Sequence, residues 1–314
     1  MKRLWRLGGI LAVTLVLAAC GGAMTGPGTT GAGTGASPAA ADGRLQVVAA
    51  ENFWGSIAAQ LGGDKVQVTS LIVNPNTDPH SYEPTPADAR TVADARYVIL
   101  NGAGYDPWVQ KLLDANPVGG RRALNVGDLV GKKAGDNPHL WYNPDYVDQV
   151  VARITADYQA LDPADAAYFA QQQTQFTTSG LKDYHDLLST IRQQYAGTPV
   201  GSTESIFVYM AGALGLNLTT PPGFMNAVSQ GTDTPAADKA TFDRQVTQKQ
   251  IDVLILNRQN ATPDTDAVKS EAQAQGIPVV NITETLDPAN VTFQAWQAGQ
   301  LTALKQALAQ ATGK

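Results

Sequence analysis

Two of the three histidines in this 314-residue chain occupy the same local frame. His80 follows Pro79 in the segment Asp-Pro-His, and His139 follows Pro138 in the segment Asn-Pro-His. Proline fixes its own φ and favours an extended conformation in the residue before it, so each imidazole is expected on a stiff, non-helical loop. Neutral imidazole is the commonest side-chain metal ligand. The repeated frame therefore predicts a preorganised metal site, against the alternative of two loop histidines without a role.

Two glutamates directly follow predicted strands and could complete such a site. Glu204 comes after the run Pro199–Thr203, and Glu284 comes after the run Ile277–Thr283. In open α/β sheets, ligands bind outside the carboxyl ends of the strands, although either glutamate alone could be a solvated loop residue. Two neutral imidazoles and two carboxylates around a divalent cation sum to zero, which avoids the cost of burying a bare charge. Imidazole and carboxylate without thiolate suit Zn, Mn, Fe or Ni and argue against Cu(I).

The elements that must position these side chains alternate between strand and helix, which predicts an α/β fold with mostly parallel sheets. Several apolar runs are nearly continuous Val, Ile and Leu, as expected for parallel strands that are buried on both faces. The predicted strands are Leu45–Ala49, Val66–Val73, Arg96–Asn101, Pro199–Thr203, Ile251–Asn257 and Ile277–Thr283. The predicted helices are Trp54–Leu61, Asp106–Ala115, Tyr146–Leu161, Ile206–Leu214, Lys239–Gln250, Asp266–Gln275 and Thr292–Ala311.

One long helical pattern divides the body of the chain. Asp162 and Pro163 supply an N-cap and a proline at the first helical position, and Gly197 offers a stop after Ala196. Gly180 is a weak point inside the pattern, so two shorter helices remain an alternative. The expected architecture is two lobes, each with a mostly parallel sheet flanked by helices, joined by a long rigid backbone helix. The expected boundaries are residues 44–161 for the N-terminal lobe, 162–197 for the linking helix and 198–314 for the C-terminal lobe.

The start of the chain is typical of an exported protein. Basic residues precede an apolar run that is too short to span a membrane, which predicts a signal peptide over residues 1–19. The run ends in Leu-Ala-Ala-Cys-Gly, which resembles a bacterial lipobox and implies that Cys20, the only cysteine, is lipidated. Residues 20–43 are then a lipidated cysteine and a flexible tether rich in Gly, Ala, Thr and Ser. The expected location is extracytoplasmic, on the outer face of the cytoplasmic membrane of a bacterium.

The charge balance of the chain argues against nucleic acid as a partner. Loss of Lys2, Arg3 and Arg6 with the signal peptide reduces the 22 basic residues to 19, against 28 acidic ones. A nucleic-acid-binding surface needs clustered basic side chains to replace phosphate counterions. We therefore expect no nucleic-acid partner, and contact with the membrane only through the lipid anchor.

The chain resembles the zinc/manganese class of solute-binding lipoproteins of ABC transporters. The resemblance covers nearly all of Leu45–Ala311 and implies a protein that captures Zn²⁺ or Mn²⁺ between its two lobes and delivers it to a membrane permease, as a monomer and without catalysis. Some members of the class are associated with cell adhesion. The segments that carry the resemblance are Ala50–Trp54, Asp78–Pro86, Asn137–Pro144, Gly201–Phe207 and Ile282–Leu286.

Transferred by position, the family's four metal ligands fall on His80, His139, Glu204 and Glu284. The third ligand is a histidine in many members and a glutamate in others. The fourth is usually an aspartate, so Glu284 departs from the pattern and could bind directly or through water. Many zinc-specific members carry a histidine-rich loop between the first two ligands, whereas residues 81–138 contain no histidine. This absence weakens the case for a dedicated zinc carrier.

Other polar residues fall near the expected site. Glu51 and Asn52 follow the first strand and could orient a ligand histidine, although they could equally be ordinary loop residues. The residues Asn257, Arg258 and Gln259 end a strand of the second lobe and could line the cleft. The third histidine, His185, has charged neighbours in the long helix, which indicates a solvated face.

Two alternative functions remain at this point. A zinc-dependent hydrolase needs an open coordination position and a nearby base, whereas four protein ligands would close the shell and the chain has no His-Glu-x-x-His segment. A surface adhesin or structural lipoprotein with a vestigial metal site would show no tight, stoichiometric metal uptake. Metal titration therefore separates the adhesin from a metal carrier.

Overall fold

The computed structural model describes residues 43–75, 77, 79 and 82–314. The predicted signal peptide, the lipidation site Cys20, most of the tether and the predicted ligand His80 lie outside these described residues. No helix among the described residues has the length and apolarity that are needed to cross a bilayer.

The first part of the chain forms a four-stranded parallel sheet in the order β2-β1-β3-β4. Strands β1 and β3 are almost wholly buried, as their continuous apolar runs predict. The strands are β1 (Leu45–Glu51), β2 (Val66–Ile72), β3 (Tyr97–Leu100) and β4 (Arg122–Asn125). The helices that accompany this sheet are α1 (Asn52–Gly62), α2 (Pro86–Asp94), α3 (Pro107–Ala115), α4 (Val126–Leu129) and α5 (Pro144–Leu161).

The segment expected as one long helix consists of two α-helices and a short irregular stretch. A 3-10 turn at Pro163–Asp165 leads into α6 (Ala166–Gln175), and α7 spans Lys182–Tyr195. Between them, Phe176–Gly180 is a π turn, in which Leu181 N–H donates to Phe176 O at 2.8 Å. The irregular stretch therefore includes Gly180, the weak point of the helical pattern.

The last part of the chain forms a second parallel sheet in the order β6-β5-β7-β8. With the first sheet, it confirms the expected fold class of two parallel sheets flanked by helices. The strands are β5 (Pro199–Ser202), β6 (Asn217–Leu218), β7 (Val253–Asn257) and β8 (Val279–Ile282). The helices are α8 (Val208–Leu214), α9 (Pro222–Ser229), α10 (Ala236–Thr247), α11 (Pro263–Ala274) and α12 (Phe293–Thr312).

A single buried apolar cluster connects the two sheets. It includes Val47 and Ile99 of the first sheet together with Val200 and Ile255 of the second. The C-terminal helix α12 contributes Phe293 and packs against α7, β8 and α1. The loops at the carboxyl ends of both sheets are thereby attached to one close-packed core.

Several short elements are absent from the sequence prediction. Strand β6 has two residues, and β4 begins with two exposed residues, so neither contains the buried apolar run that identifies a strand. Helices α2 and α9 have nine and eight residues, too short for a clear helical period. A capping box between Thr85 and Asp88 does mark the start of α2 in the sequence.

Candidate metal centre

The loop that carries His139 is fixed by hydrogen bonds with residues that follow strands of both sheets. Asn101, directly after β3, donates its side-chain N–H to Pro138 O at 2.8 Å. Asn137 donates from Nδ2 to Ser205 O at 2.7 Å and accepts from the His139 imidazole at 2.8 Å. An amide oxygen can only accept, so His139 Nδ1 carries the proton and the Nε2 lone pair faces the site. This is the tautomer that a metal ligand requires.

Aromatic packing encloses His139 completely. The imidazole is fully buried and meets the Trp141 ring edge-on, with ring centroids 5.4 Å apart. Trp141 is in turn stacked on Phe53 of α1 with centroids 4.0 Å apart. Such packing leaves the imidazole little freedom to rotate, so the position of Nε2 is set by the fold.

Glu204 lies two residues after the end of β5, and its carboxylate is fully buried. Ser202 Oγ donates to the Glu204 backbone carbonyl at 2.8 Å and fixes the turn after the strand. Ser229, the last residue of α9, donates to Glu204 Oε1 at 3.1 Å, and Asn257 Nδ2 donates to Glu204 Oε2. The same Oε1 lies 3.3 Å from His139 Nε2. The carboxylate therefore faces the imidazole.

Glu284 follows β8 and is held by groups of both sheets. Its backbone N–H donates to Gln259 Oε1 at 2.6 Å. Asn257 Nδ2 donates to Glu284 Oε1 at 2.8 Å, and Tyr105 OH donates to Glu284 Oε2 at 2.7 Å. Burial and the charge of Glu284 raise the pKa of Tyr105 well above its ordinary value. The tyrosine therefore remains a hydrogen-bond donor to this carboxylate at any physiological pH.

The strand register explains why the two glutamates meet. In the second sheet Ser202 pairs with Ile255, and Asn257 pairs with Ile282. Each glutamate lies two residues beyond a paired position, so both extend past the same edge of the sheet. Asn257, at the end of the strand between them, lies within hydrogen-bonding distance of both carboxylates.

Three of the four predicted ligands converge on one point. His139, Glu204 and Glu284 each present a ligand atom, these atoms lie within 4.8 Å of one another, and all three residues are buried. Metal–ligand distances of about 2.0–2.2 Å place two ligand atoms at most about 4.4 Å apart, so closure on one cation needs shifts of a few tenths of an ångström. Two buried carboxylates so close together repel each other, and a divalent cation would neutralise both.

Glu51 and Asn52, at the end of β1 and the start of α1, are both buried. Asn52 Oδ1 accepts the backbone N–H of Leu286 at 3.1 Å, two residues after Glu284. Glu51, the last residue of β1, is fully buried, and its carboxyl faces that of Asp106. Within the described residues these contacts lead to Asp106 and Leu286 rather than to His139.

Glu51 and Asp106 form a buried carboxyl pair. Burial, and then the charge of Asp106, raise the pKa of Glu51 well above its ordinary value. Asp106 accepts backbone N–H groups of Asn101 at 2.6 Å and Gly102 at 2.8 Å, yet burial still raises its pKa to about 6. Asp106 therefore ionises first as pH rises, and Glu51 keeps its proton to higher pH.

His185 lies apart from the other candidates. It is partly exposed on α7, where its ring is tilted against that of Tyr184 with centroids 5.4 Å apart. The neighbouring Lys182 and Asp186 form an exposed ion pair on the same helix. His185 does not belong to the metal-binding group found among the described residues.

Five side chains hold the ligands, and sequence reasoning did not identify three of them. Asn137 stands beside His139 in the repeated frame, and Asn257 and Gln259 follow a predicted strand, so a signal existed for these three. No local pattern marks Tyr105 or Ser229, because each reaches its glutamate only through the folded arrangement of the chain. Of these five side chains, the sequence analysis names only Asn257 and Gln259 as residues that could line the cleft.

Comparison with known proteins agrees with this geometry. Residues 47–307 match the model of the ZnuA family, described as zinc-uptake complex component A, periplasmic.

The chain belongs to this ZnuA family.

Named relatives of the chain are metal-binding lipoproteins. The manganese-binding lipoprotein MntA of Halalkalibacterium halodurans is 26% identical over 232 residues, which is 71% of each chain. The manganese ABC transporter substrate-binding lipoprotein PsaA of Streptococcus mitis is 24% identical over 301 residues, covering 89% of this chain and 88% of PsaA. The Mn-bound periplasmic metal-binding protein of Candidatus Liberibacter asiaticus superimposes with a TM-score of 0.70 at 20% identity, over 84% of this chain and 100% of that one. This last likeness supports the two-sheet fold of the ZnuA family.

Proposed function

We propose that this protein is the extracytoplasmic solute-binding component of an ABC importer, which captures a divalent transition metal, zinc or manganese, and passes it to a membrane permease. The observation that carries the proposal is the buried convergence of His139, Glu204 and Glu284. A neutral imidazole and two carboxylates are ligands that both zinc and manganese accept in proteins. Membership of the ZnuA family and the metal-binding relatives support the same function.

We infer that His80 supplies the fourth ligand. It lies outside the described residues, but the chain just before it approaches the site. Gln259, which holds the Glu284 backbone, has its Nε2 3.5 Å from the carbonyl oxygen of Thr77. A second neutral imidazole next to two carboxylates would give a neutral complex with a divalent cation, which is compatible with full burial.

Delivery to a permease requires the protein to stay at the membrane. The lipobox around Cys20 and the lipoprotein names of the relatives support an acyl anchor on the outer face of the cytoplasmic membrane. Residues 21–43 would then act as a tether between the lipid and the folded body. We infer that the protein works as a monomer and meets its permease as a separate component.

The proposed role includes no catalysis. A hydrolytic zinc site keeps an open position for water and a base beside it. Here both glutamates are held in place by amide and hydroxyl donors. The same donors would orient the two carboxylates toward a cation.

Calorimetric titration of the purified, metal-stripped protein tests the proposal. We expect stoichiometric uptake of one Zn²⁺ or Mn²⁺ per chain, and loss of tight binding in His80→Ala and in His139→Ala. His185→Ala is the matched control and should bind as the unmodified protein does. Absence of uptake by the unmodified protein, or equal losses in all three variants, would rule out the assignment.

A further inference from the structure

The two ligand carboxylates share one hydrogen-bond donor. Asn257, the last residue of β7, is 1% exposed and donates from Nδ2 to Glu204 Oε2 and to Glu284 Oε1. An amide nitrogen carries two hydrogens, so one hydrogen is available for each carboxylate. A single side chain thus fixes one oxygen of each carboxylate.

The orientation of the Asn257 amide is itself determined by its surroundings. Its Oδ1 accepts the backbone N–H of Gln259 at 3.0 Å, which forces Nδ2 toward the carboxylates. Its backbone N–H lies 3.3 Å from Thr203 Oγ1 at the end of β5. The donor is therefore rigid, because both its backbone and its side chain are held.

The second oxygen of each carboxylate has a different donor. Ser229 Oγ donates to Glu204 Oε1, and Tyr105 OH donates to Glu284 Oε2. Each carboxylate plane is consequently fixed at both oxygens. Removal of the Asn257 amide would take one donor from each carboxylate and weaken the restraint on both planes.

We propose that Asn257 is a positioning residue that sets the angle between the Glu204 and Glu284 carboxylates and thereby the preference of the site between Mn²⁺ and Zn²⁺. The inference rests on the proposed metal-binding function. Zinc accepts four ligands in an irregular tetrahedron and tolerates carboxylates that bind through one oxygen. Manganese favours more oxygen ligands and so depends more on carboxylate planes held for chelation.

Two effects follow loss of the amide, and a ratio of affinities separates them. Without its donor the carboxylate pair is more negative, which raises the affinity for every divalent cation. Loss of orientation lowers the affinity for Mn²⁺ more than the affinity for Zn²⁺. The common electrostatic effect cancels in the ratio of the two affinities, so the ratio reports orientation alone.

The test compares Asn257→Leu, Asn257→Ser and the control Asn260→Ala with the unmodified protein. Leucine removes the donors at similar volume, and serine can donate to one carboxylate only. Asn260 lies three residues after Asn257, in the loop that follows β7, and its amide donates to Val228 O at 3.0 Å. The affinities for Zn²⁺ and Mn²⁺ are measured by competition with a chelator, and the visible absorption of bound Co²⁺ reports the coordination number.

Loss of a hydrogen bond to a metal ligand commonly changes affinity about 10- to 100-fold. We expect Asn257→Leu to raise the Zn²⁺-over-Mn²⁺ ratio by about tenfold or more, with Asn257→Ser in between and Asn260→Ala unchanged. The Co²⁺ absorption should become stronger in Asn257→Leu, as coordination number falls. If the leucine variant does not fold, the serine variant decides.

An unchanged affinity ratio and an unchanged Co²⁺ spectrum in folded Asn257 variants would overturn this inference and leave the proposed function intact. Failure of the unmodified protein and of Asn260→Ala to bind either metal would instead overturn the proposed function.

Discussion

The buried carboxyl pair behind the metal centre should make the stability of the metal-free protein depend on pH, and Glu51→Gln should remove part of that dependence. Glu51 and Asp106 are 0% and 1% exposed, and burial raises the pKa of Glu51 well above its ordinary value. In the unfolded chain Glu51 loses its proton near its ordinary pKa, whereas in the folded protein it keeps it. The unfolded state therefore binds fewer protons, and the free energy of unfolding must fall as pH rises.

The size of the effect follows from the number of protons involved. One proton that is retained only in the folded state changes the free energy of unfolding by about 1.4 kcal/mol per pH unit. This loss begins above the ordinary pKa of Glu51 and continues until its folded pKa is reached. Glutamine has the same shape and stays neutral. The free energy of unfolding of Glu51→Gln relative to that of the unmodified protein should therefore rise by about 1.4 kcal/mol for each pH unit over which folded Glu51 keeps its proton.

Urea unfolding at pH 5, 6, 7 and 8, with a chelator present, measures this difference. Comparison at each pH cancels the titration of groups that both proteins share. Glu83→Gln is the matched control, because Glu83 is exposed and the same substitution there should leave the two pH curves parallel. Parallel curves for Glu51→Gln as well would refute the assignment of a shared proton to this pair.

Four further outcomes are expected. Tyr105→Phe removes the donor to Glu284 Oε2 and should weaken the binding of Zn²⁺ and Mn²⁺ about tenfold, as measured by calorimetry. An unchanged melting temperature of this variant would show that the effect is local to the site. A thousandfold excess of Zn²⁺ or Mn²⁺ over the dissociation constant should add about 4 kcal/mol to the free energy of unfolding, whereas Mg²⁺ and Ca²⁺, which favour all-oxygen sites, should add none. Glu204→Ala should reduce that stabilisation even with both histidines in place, and an unaltered thermal shift would argue against Glu204 as a ligand. Cys20→Ala should leave the protein in soluble exported fractions or with its signal segment attached, and a membrane-bound, processed variant would contradict the lipobox.

Much of the fold could be predicted because its strands are buried on both faces. The runs in β1, β3 and β7 are nearly continuous and apolar, so their positions are visible without knowledge of their neighbours. Strand β6 is only two residues long and exists because β5 pairs with it, which no local pattern records. The boundaries between the two lobes and the linking helix remain a proposal.

The candidate site was predictable to the extent that it lies at strand ends. Glu204 and Glu284 follow β5 and β8, and the topology of parallel sheets brings such residues to one edge. The donors that orient them could not be predicted in the same way. Tyr105 and Ser229 lie far from their glutamates in sequence, 179 and 25 residues away, and meet them only after the chain has folded.

An anomalous-diffraction map of crystals loaded with Zn²⁺ or Mn²⁺ tests the central claim most directly. The account requires one strong peak about 2.0–2.2 Å from His139 Nε2 and from a carboxylate oxygen of Glu204 and of Glu284. A peak elsewhere on the protein, or none at these three residues in crystals that contain stoichiometric metal, would contradict it.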